Sequence, residues 1–213
     1  LDGYGHNRAR SANRRDRFVM SRGVAPALVN AKDLMELDAD SEALAGDKRK
    51  GFIERYIHGE IYRARPEVMA VVHSHSPSSI PFGATRTKLR PIYHMGAFLW
   101  SGTPVFDIRG VVEKNDLLIR DRPLGQALAR TLGACSCVLM RGHGMTVVGD
   151  GVPEAVYRAI YTEMNARLQI QAAQLEGPIE FLSDEEGRRS TAANRGTLER
   201  PWELWKKEVL RRK

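Results

Sequence analysis

Cysteine is scarce, with two residues in a chain of 213. Cys135 and Cys137 stand at i and i+2 in an apolar context, not in the Cys-x-x-Cys spacing of zinc ribbons and redox sites, and they read as buried thiols. Long apolar runs are missing as well. Nothing approaches the roughly 20 residues that a bilayer-crossing helix needs, and no charged, apolar and small-residue signal pattern opens the chain. The expected compartment is the cytoplasm, with no membrane partner. There is no internal repeat, no regular βαβ fingerprint and no Gly-x-Gly-x-x-Gly loop, which argues against a dinucleotide fold. A nucleic-acid motif is also lacking. The net charge is +7, but 26 acidic residues are interleaved with the basic ones, so no nucleic-acid partner is expected. An excess of arginine suits a small anionic substrate, because guanidinium pairs with carboxylate in a bidentate fork.

What the chain does contain is enough apolar residue, 42%, for a substantial core in one globular domain. It begins at Leu1, and the opening Leu-Asp-Gly-Tyr-Gly reads as the middle of something, so an N-terminal helix is expected to precede it. Residues 3–17, rich in glycine and arginine, read as a loop or turn between short strands. Short strands are expected at residues 18–21 and 33–38, followed by a polar, hairpin-like segment over 39–47. From 48 to 65 the period becomes helical through Ile53, Tyr56, Ile57 and Ile61, and Pro66 ends the run. Glu54 and His58, four apart, share a face of that helix.

Val71-Val72-His73-Ser74-His75 is the stretch that organises the rest. Strand residues i and i+2 share a face, so a His-x-His at a strand end aims two imidazoles at one point. His143, between Gly142 and Gly144, follows a second β-type run over 137–141, and glycines there allow close backbone approach. Three neutral imidazoles with an open position form the ligand set of a catalytic divalent site. The alternative is that these are hydrogen-bonded histidines at strand ends. Further along, a helix start is expected within 76–82, a loop over 86–91, an aromatic and polar stretch of undecided state at 93–96, and a strand over 104–108. A helix over 124–132 stops at Gly133 as a C-cap, and strand resumes at 146–148. Pro153 opens the clearest helix, with Val156, Ile160, Met164, Leu168 and Leu175 on one face.

Glu54 on a helix, Ala64-Arg65-Pro66 closing it, a strand into His73-Ser74-His75, and Gly142-His143-Gly144 together resemble the class II aldolase/adducin family, over about residues 3–175. The resemblance implies an α/β fold: a three-layer α/β/α sandwich with a mostly antiparallel central sheet. It implies a homotetramer with the site at a subunit interface. The lyase domain would span residues 1–178, and 179–213 would be a polar extension with a short amphipathic helix over 202–210. By the same resemblance His73, His75 and His143 hold a divalent metal ion, for which zinc, manganese, iron and cobalt all accept histidine. Glu54 is the acid/base that also approaches the metal. Gly5-His6-Asn7-Arg8-Ala9-Arg10 departs from the family's Gly-His-x-Ser-x-Arg in that Arg8 replaces the serine.

Members of the family include sugar-phosphate aldolases and epimerases, a dehydratase, decarboxylases and the non-enzymatic adducins. A pure scaffold has no need for three histidines and a glutamate in register. The sugar-phosphate enzymes resemble one another in a Ser-Ser pair before the glutamate, where this chain has Phe52-Ile53. Apolar side chains would desolvate a phosphate without satisfying it. The resemblance is therefore strongest to the branch that decarboxylates hydroxylated aromatic or pyridine dicarboxylates. In that reading a divalent ion stabilises the carbanion left by carbon dioxide, and Glu54 delivers a proton to it. Tyr161 is a second candidate for catalysis, or a packed helix residue; His94, Arg141 and Phe52 are candidates for contact with a small anionic aromatic substrate.

Overall fold

The structure is a computed structural model and describes residues 4–11, 13–44 and 46–211. Seven strands form one sheet: β1 (His6–Arg10), β2 (Phe18–Ser21), β3 (Leu34–Leu37), β4 (Ala70–Ser74), β5 (Val105–Phe106), β6 (Cys137–Met140) and β7 (Gly144–Gly149). Their order is β3-β2-β1-β4-β7-β6-β5. Every neighbouring pair is antiparallel except β5 with β6. The helices are α1 (Arg55–Ala64), α2 (Ile80–Ala84), α3 (Arg122–Leu132), α4 (Val152–Ala172), α5 (Asp184–Arg195) and α6 (Glu199–Arg211).

Strand alternation builds the three layers. Val71, Val138, Met140 and Val148 face a core shared with Ile57 and Ile61 of α1 and Leu124, Leu128 and Leu132 of α3. Their sequence neighbours Ala70, Val72, Cys137, Leu139 and Val147 face the opposite core, closed by Phe98, Ala155, Tyr157 and Ala166. The expected sandwich with a mostly antiparallel sheet is what forms. β4 lies mid-sheet and is buried on both faces, so its C-terminal end, where the His-x-His stands, is held rigidly.

Several local expectations are corrected. Residues 6–10 are not a loop: β1 pairs with both β2 and β4, because His6 and Arg8 alternate inward along an arginine-rich strand that composition disguised. The helix expected from 48 begins only at Arg55; residues 48–52 have no regular structure, and Glu54 occupies the N-cap position. The undecided aromatic stretch is a 3-10 helix, His94–Ser101. α5 has almost no apolar period, and a capping box forms it: the Ser183 hydroxyl accepts from the Glu186 N–H while Glu186 accepts from the Ser183 N–H. α6 runs longer than expected, and Trp205 and Leu198 before it pack against the α4-side core.

Candidate metal centre

β4 delivers His73 on its inner face, and His75 follows one residue beyond the strand end. β1 lies alongside in a register that sets His6 opposite His73. The turn from β6 into β7 carries His143. Gly142 there has φ +66°, and at Gly144 a Cβ would run into the Ser74 carbonyl oxygen, so the turn needs both glycines to bring His143 against β4. From the other side the α1 N-terminus brings Glu54.

One ligand atom from each of Glu54, His73, His75 and His143 lies within 4.8 Å of the others. His143 Nε2 is 3.1 Å from His75 Nε2 and 3.4 Å from Glu54 Oε2, which in turn is 3.6 Å from His73 Nε2. Ligands at about 2.1 Å from a tetrahedral ion stand roughly 3.4 Å apart, so the donor set fits a divalent metal. The outer bonds orient it. His73 Nδ1–H donates to the Met145 carbonyl at 3.1 Å, with Thr146 Oγ1 at 3.3 Å, and His143 Nδ1–H donates to the Leu117 carbonyl at 2.9 Å. Both rings therefore turn an Nε2 lone pair inward, and that of His73 is buried with no hydrogen-bond partner among the described residues. The Ile119 N–H donates to Glu54 Oε1 at 3.0 Å. Leu117, whose carbonyl holds His143, has φ +69°, a conformation unfavourable for a side chain with Cβ.

Burial sets the charge states. Desolvation pulls the His73 pKa down to about 3, leaving the neutral, ligating imidazole at pH 7. Burial would raise Glu54, but His143, which donates to it when protonated, and the nearby His73 hold it below its usual value, so it rests as a carboxylate. His143 shifts the other way: burial lowers it, and the bond that its protonated form donates to Glu54 outweighs that.

Three residues that the motif reading left without a role line the inner side. His58 Nε2 and His6 Nδ1 are 2.8 Å apart, and the His6 ring is 5.1 Å from that of His73. Burial holds both well below the ordinary histidine pKa. Arg8 is buried beyond them, and burial draws its guanidinium down to about 9. Phe52 joins this wall, 4.8 Å from the His6 ring and 5.4 Å from the Arg8 guanidinium carbon. The period-two inward pattern of His6 and Arg8 was the available signal. Nothing in the sequence marked Leu117 or Ile119, which act through backbone groups.

The other expected site residues are not brought to this group within one protomer. Arg141 Nε forms an ion pair with Asp107 Oδ1 at 3.0 Å, without the geometry of a hydrogen bond. His94 is exposed, at the start of a 3-10 helix whose backbone Asn194 caps from α5 at 2.7 Å. Tyr161 packs among Tyr157, Tyr93 and Trp205, ring centroids 4.5, 6.4 and 6.3 Å away, on the α4-side core.

Comparison with known proteins agrees with this geometry. The family described as class II aldolase and adducin N-terminal domain matches residues 3–170. Decarboxylase tropJ of Talaromyces stipitatus is 42% identical over 98% of this chain and 87% of its own length. The 3,4-dihydroxyphthalate decarboxylase of Arthrobacter keyseri is 32% identical over 80% of this chain and 68% of its own. In fold, an aldolase II superfamily protein from Pseudomonas syringae superposes with a TM-score of 0.79 at 22% identity, over 99% of this chain and 85% of that one.

Proposed function

We propose that this chain, which belongs to the class II aldolase and adducin family, is a divalent-metal-dependent decarboxylase of a hydroxylated aromatic or heteroaromatic dicarboxylate. The observation that carries the reading is the convergence of His73, His75, His143 and Glu54, with two imidazoles pre-oriented by backbone carbonyls. Relatives named as decarboxylases, one of them for dihydroxyphthalate, support the reaction and the substrate class. The half-buried Phe52 offers an apolar face to a ring; each square ångström of such contact contributes about 25 cal/mol, whereas a phosphate there would lose hydration. A homotetramer is the proposed assembly, and the exposed Leu204, Val209 and Leu210 of α6 give it apolar surface. No helix among the described residues is long and apolar enough to cross a membrane.

His73, His75 and His143 would hold the ion, with Glu54 beside it. When bound, it supplies Lewis acidity that stabilises the negative charge left on the substrate when the carbon–carbon bond breaks. Glu54 carries the proton. Resting as a carboxylate, it first accepts the proton of the substrate hydroxyl. Carbon dioxide then leaves, its bonding pair stays on the ring carbon, and Glu54 returns the proton to that carbon. The product departs as the phenolate and is protonated by water, and Glu54 is again ionised. The Ile119 N–H holds the carboxylate in place through its other oxygen. These steps call on no group of Arg141, His94 or Tyr161.

The test is incubation of the metal-loaded protein with two panels, hydroxy-aromatic dicarboxylates and ketose or aldose phosphates, with carbon dioxide and aldehyde followed separately. Carbon dioxide from the first panel is expected. Aldehyde from the phosphates, with no carbon dioxide from any dicarboxylate, would overturn the reading in favour of an aldolase. Absence of both products, with no metal retained, would favour an adducin-like interaction domain.

A further inference from the structure

Arg8 is a charged side chain, 2% exposed, in a site wall. Its Nε and Nη2 have no hydrogen-bond partner among the described residues, while Nη1 rests against the Met20 sulfur. Those two nitrogens form the side-on edge of the guanidinium, the edge that takes a carboxylate bidentately. Other arginines of this chain use it in that way. Arg14 offers Nε and Nη2 to Asp16 at 3.1 and 2.9 Å, and Arg109 offers the same pair to Asp107 at 3.1 and 2.6 Å. In Arg8 the edge is buried and empty. Glu54 attracts this guanidinium only from a distance, and no described carboxylate hydrogen-bonds it, so the buried empty edge calls for an anion that no described residue places there.

Position identifies where that anion comes from. Arg8 stands two residues from His6 on the same face of β1, and His6 is opposite the ligand candidate His73. Two residues of strand span about 7 Å. Phe52, 5.4 Å from the guanidinium carbon, sits on the non-helical run before Glu54 and lines one cavity together with His6 and Arg8.

We propose that Arg8 anchors the carboxylate that the substrate keeps, side-on through Nε and Nη2, and so selects dicarboxylates over monocarboxylates. The inference rests on the decarboxylase reading for the identity of the substrate. It does not rest on turnover for its test.

The experiment measures binding of the unreactive ligands phthalate, benzoate and inorganic phosphate to the metal-loaded protein by calorimetry, for the wild type and for Arg8→Ser and Arg8→Lys. Wild type is expected to bind phthalate at least tenfold tighter than benzoate. Arg8→Ser should erase that preference while leaving benzoate within about threefold, and Arg8→Lys, which keeps charge without the fork, should fall between. Circular dichroism and metal content establish that each variant is folded; should Arg8→Ser fail to fold, Arg8→Lys carries the comparison. An undiminished phthalate preference in the folded variants would overturn the proposal, as would tighter wild-type binding of phosphate than of phthalate. Arg8-dependent phthalate binding without carbon dioxide release from any hydroxy-dicarboxylate would sustain the anchor and sink the decarboxylase reading instead.

Discussion

Two sets of buried histidines meet at the end of β4, and they differ in what their second nitrogen does. In His73 and His143 the Nδ1–H is taken by a backbone carbonyl of another segment, so each Nε2 lone pair is turned toward Glu54. In His6 and His58 the two rings bond each other at 2.8 Å. Burial lowers His6, His58 and His73 alike. Burial therefore makes an imidazole neutral, and the outer hydrogen bond decides whether its lone pair is available to an ion.

The largest effect should come from breaking the first set. His73→Ala or His143→Ala removes one of three imidazoles and should abolish both tight metal retention and activity. Elemental analysis showing about one equivalent of metal per chain in either variant would end the assignment. Glu54→Gln separates proton transfer from ligation: turnover should drop roughly a hundredfold or more with the metal still bound. Near-normal turnover in this variant would move the acid/base role to another residue.

Breaking the second set should affect stability and not the metal. His58→Leu fills the volume but leaves His6 Nδ1 without its partner, and denaturant titration should show a loss of about 1–3 kcal/mol. Metal content should stay near that of the wild type; a parallel loss of metal would erase the distinction between the two sets.

Acid should expose the depressed histidines together. Their folded pKa values lie below the unfolded value of 6.5, with His73 at about 3, so the unfolded chain takes up protons first as pH falls. Their contribution is fully present above about pH 6.5 and is lost as pH drops toward the folded values, with a slope of about 1.4 kcal/mol per pH unit for each proton. His143, shifted upward, offsets part of this. Denaturant titrations of the chelator-treated protein at pH 7 and pH 5.5 check it; equal stability at the two values would show that the cluster is hydrated and not buried.

The sequence by itself determined the elements in which periodicity and chemistry coincide. The apolar run ending in His73-Ser74-His75, the glycine-flanked His143 and the helical period through Ile57 and Ile61 each carry a local signal, and the structure brings them to one place. Even α5 carries one, the Ser183-x-x-Glu186 capping box, on a helix with almost no apolar face. Tertiary structure alone decided the rest. The N–H of Ile119 and the carbonyls of Leu117 and Met145 act through backbone that every residue possesses, so no side chain advertises them. Arg141 and Arg8 look equivalent in the sequence, yet Asp107 lies 3.0 Å from the first, while the second is buried with no described carboxylate bonded to it. Which nitrogen of a histidine faces inward, and which guanidinium edge is empty, depends on partners distant in sequence and is settled only by packing.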